Sequence, residues 1–130
     1  MVQREVAERL LASPGSKTYG IPTVILGRHF TIKRCFNVSP ANFSPQPEVT
    51  STVIKLIPRK EPLCPDVDDE LFSKVVHKAF AHRRKTLANN LKESFPEIYE
   101  SLLGEYAGLR AEQLNIMDFC EICKKLRNFN

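Results

Sequence analysis

Long apolar runs are missing from this 130-residue sequence. None reaches the length that crosses a bilayer, and residues 1–12 mix acids with bases and lack the apolar core of a signal peptide. A cytoplasmic protein is the default expectation. Glycine is scarce and scattered, so there is no glycine-rich phosphate cradle. There is no HExxH pair for a zinc peptidase and no GxSxG elbow for a serine hydrolase. The histidines His29, His77 and His82 form no motif, and each reads as a solvated or capping side chain. Cys120 and Cys123 have the spacing of half a zinc site, but a second Cys-x-x-Cys is missing and the pair sits in a helical pattern. Cys35, Cys64, Cys120 and Cys123 are therefore expected to be ordinary packed thiols, with no metal bound. No internal repeat appears.

What is present is a moderately basic, globular composition: 19 lysines and arginines against 15 acids, a net charge of +4. That balance permits a polyanionic partner without requiring one. Val2, Val6, Leu10 and Leu11 recur at helical spacing, and Pro14-Gly15-Ser16 ends that helix. A helix starting at residue 2 without a cap leaves its apolar stripe with no obvious partner. Residues 21–30 read as a second short helix around Val24, Ile25 and Leu26. Residues 31–38 read as a strand and residues 49–57 as the best strand in the chain, able to pair antiparallel. Pro58, Pro62 and Pro65 make 58–65 a linker, after which the pattern is helical throughout. Leu71, Phe72, Val75, Val76, Ala79 and Phe80 form one stripe, and Pro96 opens a short helix in which Ile98, Leu102 and Leu103 face inward. Asn115 caps a last helix, with Asp118 in a box-like role and Phe119, Ile122 and Leu126 inward.

Two stretches carry candidate function. Asn42 to Ser51 reads NFSPQPEVTS. Its two prolines lack backbone donors, fix φ and push the preceding residues out of the helical region, so Ser44 to Pro47 is expected to be stiff and extended. Phe43 and Glu48 would be held still by such a backbone. The same spacing also suits a segment that only blocks edge pairing or presents a polyproline ligand. The second stretch is His82-Arg83-Arg84-Lys85, joined by Lys78 and Lys92, with few acids before Glu93. Such a cluster suits phosphate contacts, which position RNA without reading its sequence, and it also suits a merely solvated surface. Asn89-Asn90 beside it competes with helical backbone bonding and is expected to be buried or capping.

Taken together, QREVAERL (3–10), PGSKTYG (14–20), NFSPQPEVTS (42–51), AFAHRRKTLANNL (79–91) and RAEQL (110–114) are similar to the KsgA-type ribosomal RNA adenine dimethyltransferases. The family pattern F-x-P-x-P-x-V-x-S is kept at Phe43, Pro45, Pro47, Val49 and Ser51, while a position usually basic is Glu48. The resemblance implies S-adenosylmethionine-dependent dimethylation of two adjacent adenines near the 3′ end of small-subunit rRNA, with the immature small ribosomal subunit as partner. It makes Phe43 the stacking wall against the target adenine, with Pro45 and Pro47 as its stiff support. It gives Arg83, Arg84, Lys85, Lys78 and Lys92 an RNA-holding role, and it places Gln3, Glu5 and Arg9 near the catalytic loop, while Glu5 and Arg9, four apart, suit an ion pair with each other at least as well.

The family's glycine-rich cofactor loop and NLPY motif are not found in the sequence. The chain is accordingly expected to be the C-terminal portion only of such an enzyme, inactive by itself and binding no cofactor. The expected fold is α/β, a remnant of a Rossmann-like class I methyltransferase with an antiparallel strand pair over residues 1–58. A linker over 59–65 and a small all-α domain over 66–130 follow. The alternatives are a non-catalytic RNA-binding or ribosome-associated module, and a fragment that dimerises through its sheet edge.

Overall fold

The structure is a computed structural model and describes residues 1–96 and 103–127. Strands β2 (Phe30–Val38) and β3 (Ser51–Pro58) pair antiparallel from Phe30 opposite Pro58 to Val38 opposite Ser51. The register shifts between Arg34 and Phe36, leaving Cys35 as a bulge. A third strand, β1, is only Val2–Gln3 and pairs antiparallel with the start of β3, giving the order β1-β3-β2.

This third strand corrects the expected helix from residue 2. Two residues are too few to show strand periodicity, and what makes them a strand is a partner about fifty positions away. Helix α1 therefore spans Arg4–Leu10. Its phase also changes: Ala7 is the buried residue and Val6 is 41% exposed. Helix α2 (Ile21–His29) and strand β2 fall where the pattern placed them.

Beyond residue 65, α3 (Asp69–Ala79) buries Phe72, Val75, Val76 and Ala79, the stripe its periodicity requires. Helix α4 covers Leu87–Lys92 and α5 covers Ile116–Arg127. The start of α5 is a reciprocal box: the Asp118 amide donates to Asn115 Oδ1 at 2.9 Å, and the Asn115 amide donates to Asp118 Oδ2 at 3.0 Å. Phe119, Ile122 and Leu126 point inward as expected. Leu103 is fully buried, while Ile98 and Leu102 lie outside the described residues. The architecture is a small α/β layer followed by helices, as the sequence implied.

One core joins the two parts. Tyr19 and Val24 from the first part cluster with Phe72, Leu87, Leu91, Phe119 and Ile122 from the second. A buried arginine fastens the connection. Arg28, 1% exposed, donates through Nε to Leu63 O at 3.0 Å and through Nη2 to Cys64 O at 3.1 Å and to Val67 O. Its Nη1 donates to Asp69 Oδ1 at 2.6 Å, and the guanidinium lies 4.7 Å from the Phe72 ring centre. A buried charge is tolerable when it is this fully hydrogen-bonded.

The cysteines depart from the expectation of packed thiols. Cys64 and Cys120, 56 positions apart, form a disulfide, a pairing set by tertiary proximity and not by local spacing. Cys35 is an exposed thiol; Cys123 is buried, and that burial pushes its thiol up to about 12.

Candidate nucleic-acid interface

The basic cluster sits in a turn that the fold makes rigid. The chain leaves α3 at Phe80, and three acceptors of the turn converge on one side chain. Asn90 Nδ2 donates to Ala79 O at 3.0 Å, to His82 O at 2.9 Å and to Lys85 O at 3.5 Å. Asn90 is 6% exposed, so the asparagine pair beside the cluster divides its duties: Asn90 is a buried clasp and Asn89 is exposed. Thr86 caps α4 through the Asn89 amide at 3.5 Å. With its backbone satisfied from inside, the turn displays Arg84 and Lys85 to solvent, and Lys78 and Lys92 are exposed at the last turns of α3 and α4.

Arg83 differs from its neighbours. Its guanidinium donates to Tyr19 O and, at 3.3 Å, to Lys17 O, lies 3.7 Å from Glu112 Oε2, and sits 5.8 Å over the Phe80 ring centre. It anchors the turn to the α1–α2 connection. Arg83 also meets Arg9 across a cleft of about 240 Å³ that Thr18, Gly20 and Phe80 help to line. The resemblance placed Arg9 near the Phe43 loop and its spacing from Glu5 suited an ion pair; the structure forms that pair and also brings Arg9 to the cleft at the basic turn.

The Phe43 loop connects the end of β2 to the start of β3. Ser39 accepts from the Ala41 amide at 3.3 Å and opens a single 3₁₀ turn over Pro40–Asn42. Phe43 closes that turn in extended conformation, its amide donating to Pro40 O at 3.1 Å, and its ring is half-buried. The Ser44–Pro45 bond is cis. Pro45 and Glu48 are exposed and Pro47 is half-buried. The loop returns to the fold where the Arg4 amide donates to Thr50 O at 2.9 Å. Gln3, Arg4, Glu5 and Glu8 face Val49 and Thr50 there across a cleft of about 330 Å³. Gln3 and Glu5 thus stand beside the loop as anticipated, and Glu5 also pairs with Arg9 at 3.2 Å.

A methyl donor of the S-adenosylmethionine type needs a slot for its adenine, an acceptor for its ribose hydroxyls and a counter-charge for its amino-acid end. Two clefts of the described residues divide these properties. The apolar one, about 280 Å³, is lined by Ala12, Pro14, Tyr19, Thr23, Asn115, Ile116 and Met117 and has no carboxylate, while the acid-lined one beside Gln3 has no aromatic. These clefts do not fit the donor, and no step is derived through it. Among the described residues there is no cluster of three or more histidine, cysteine or acidic side chains fit for a metal, and no helix is long and apolar enough to cross a membrane.

Comparison with known proteins agrees with the resemblance and corrects one part of it. A family model described as ribosomal RNA adenine dimethylase matches residues 1–128. A "Ribosomal RNA small subunit methyltransferase A" from Syntrophus aciditrophicus is 46% identical over 97% of this chain and 48% of its own length. The protein of the same name from Thermotoga maritima is 44% identical over 98% of this chain and 43% of its own length. A crystal structure of a dimethyladenosine transferase from Plasmodium falciparum superposes with a TM-score of 0.81 at 21% identity, covering 97% of this chain and 55% of that one, a likeness of fold. The chain thus spans about half the length of the curated relatives it matches.

The expectation of a C-terminal portion only, inactive by itself, does not stand: the dimethylase model runs over residues 1–128, the strand layer and the helices alike. That expectation rested on motifs not found in the sequence, and a missing motif does not place a segment within its family's domain. The chain belongs to the ribosomal RNA adenine dimethylase family.

Proposed function

We propose that this chain works in an S-adenosylmethionine-dependent enzyme that dimethylates the N6 amines of two adjacent adenines near the 3′ end of small-subunit rRNA. The observation that carries the reading is the family match over residues 1–128. The geometry adds a division of labour. Arg84 and Lys85, displayed from the clasped turn and flanked by Lys78 and Lys92, neutralise phosphates and hold the RNA. Arg83 contributes by fixing that turn to residues 17–19 as well as by its charge.

Phe43 supplies an aromatic face for an adenine drawn out of its stack, and Pro45 and Pro47 keep that face in place. The nucleophile is the substrate's own amine, so the protein's part is to orient it and exclude water. We assign residues 1–58 to the methyltransferase layer, 59–65 to a connector and 66–130 to the helical domain, and we assign the immature small subunit as partner.

The test is binding of the chain to a small-subunit rRNA hairpin at several salt concentrations, with Arg83, Arg84 and Lys85 replaced together by alanine in parallel. The expected result is affinity that falls steeply with salt and is largely lost in the triple variant. Affinity indifferent to both would overturn the reading. Calorimetric titration of the isolated chain with S-adenosylmethionine is expected to show no stoichiometric binding; tight binding would contradict the misfit of the clefts described above.

A further inference from the structure

Residues 63–68 are tied to α5 by the disulfide between Cys64 and Cys120. The segment it closes holds α3, the clasped basic turn and α4. Residues 63–67 also carry the backbone acceptors of Arg28. The Cys64 carbonyl accepts from Nη2 at 3.1 Å, and Leu63 O and Val67 O accept on either side of it. In return the Leu63 amide donates to Arg28 O at 2.9 Å, while the Val67 amide donates to Cys64 O at 3.0 Å. Cys64 is thus both an anchor of the cross-link and an acceptor for the buried guanidinium.

The backbone at Cys64 stands where a side chain is disfavoured. Its φ is 49°, in the left-handed region, and no other non-glycine residue among those described has a positive φ. Such a conformation persists where its surroundings impose it. Here the bond to Cys120 and the hydrogen bonds to Arg28 and Val67 do so. The two sulfurs differ in access: Cys64 keeps 7% of its surface beside the exposed Pro65 and Asp66, whereas Cys120 is sealed. An incoming thiolate therefore meets Cys64 first. Cys123, one helical turn beyond Cys120, is also sealed, and its burial keeps the thiol protonated at neutral pH. It does not compete for the pairing.

We infer that the Cys64–Cys120 bond is a thiol–disulfide switch that sets how firmly residues 63–67 close over Arg28, and with it the junction between the strand layer and the helices. A dithiol reductant opens it. One of its sulfurs attacks Cys64 Sγ and forms a mixed disulfide, and Cys120 Sγ leaves and takes a proton. The second sulfur of the reductant then attacks the first, and Cys64 is released as a thiol. Both protons of the dithiol end on the two cysteines, and the reductant departs as its own disulfide. Without the cross-link Cys64 relaxes from its left-handed conformation, its carbonyl turns away from Arg28 and the segment opens. A disulfide oxidant of the glutathione class reverses the exchange. The switch acts on the junction and is independent of the RNA role proposed above.

The experiment follows the full chain by thiol titration and hydrogen exchange in three states: oxidised, reduced with dithiothreitol, and reoxidised with oxidised glutathione. Titrated after denaturation, the oxidised chain is expected to show two thiols, Cys35 and Cys123, and the reduced chain four. Reduction is expected to speed exchange at the Leu63 and Val67 amides and at Arg28 Nε by at least about tenfold relative to the amides of the β2–β3 ladder. Reoxidation should restore the slow rates. Cys64→Ser/Cys120→Ser is expected to exchange fast with or without reductant, and Cys123→Ser to keep the redox response. Four thiols in the oxidised chain, or unchanged exchange once all four are free, would overturn the inference. So would a rise shared equally by the ladder, rates that stay fast after the bond has re-formed, or a response lost in Cys123→Ser.

Discussion

The helical side and the sheet side of this molecule are held in place by different means. On the helical side, α3, α4 and α5 bury a continuous core, and two side chains, Arg28 and Asn90, close the backbone of the connecting segments from within. On the sheet side, Thr52 is the one residue of β2 and β3 that is buried, its hydroxyl donating to Asn37 Oδ1 at 2.8 Å. The Phe43 loop carries its order locally, through a 3₁₀ turn and two prolines. The difference teaches that a positively charged surface can be mounted on the half that carries the buried core. An aromatic ring, Phe43, can stand on a loop whose stiffness is independent of the core.

Removing the most deeply placed clasp is the strongest way to break this contrast. Arg28→Ala deletes a charged donor to three backbone carbonyls and to Asp69, and it should lower stability by about 3 kcal/mol in urea unfolding. Asn90→Ala leaves the carbonyls of Ala79, His82 and Lys85 short of a donor, and about 2 kcal/mol should be lost by the same measurement. It should also weaken RNA binding, because the turn that displays Arg84 and Lys85 is loosened. On the sheet side, Phe43→Ala removes a half-buried ring outside the core and should change stability by less than about 1 kcal/mol. A loss as large as that of Asn90→Ala would show that the loop is part of the core.

The smallest effect sharpens the contrast where the chain enters the helical side, at Asp66. Arg127 donates to Asp66 O at 2.9 Å and lies 3.2 Å from Asp66 Oδ2. Backbone hydrogen bonding first, and then the hydrogen bond from Arg127, hold the Asp66 carboxyl below its ordinary value. Because the folded value is the lower one, the contribution is present above the ordinary carboxylate range and is lost as pH falls through the folded value. Asp66→Asn should therefore lower the unfolding midpoint slightly at neutral pH and leave it unchanged in strong acid. A difference that persists in acid would contradict the ion pair as its source.

The sequence made the regular elements legible where periodicity was long and capping chemistry complete. The α3 stripe and the Asn115–Asp118 box were readable because every residue that defines them lies within one or three turns of helix. Strand β1 was not, since two residues have no period and its register depends on Thr52 and Ser51. Nor was Arg28: a charged residue near the end of a short helix reads as solvated until the 63–69 segment wraps over it. The Cys64–Cys120 pairing was hidden for the same reason.

At the site, the basic stretch was visible as charge, but its division into anchoring Arg83 and displayed Arg84 and Lys85 required the positions of Lys17, Tyr19 and Glu112. The cleft beside Gln3 was partly legible, because Gln3 and Glu5 lie in a family stretch. Val49 and Thr50 complete it only through the sheet register.

The most direct measurement combines both regions in one titration. An rRNA hairpin carrying 2-aminopurine at the target adenine is titrated with the unaltered chain, with Phe43→Ala and with Arg84→Ala/Lys85→Ala, following affinity and fluorescence together. The expected result is that the Arg84/Lys85 variant binds more weakly, with a salt slope reduced by about 2, and still changes base fluorescence once saturated. Phe43→Ala is expected to keep its affinity and salt slope and lose the fluorescence change. A Phe43→Ala chain that binds as weakly as the basic-turn variant, or that leaves the fluorescence response intact, would contradict the separation of holding from base recognition.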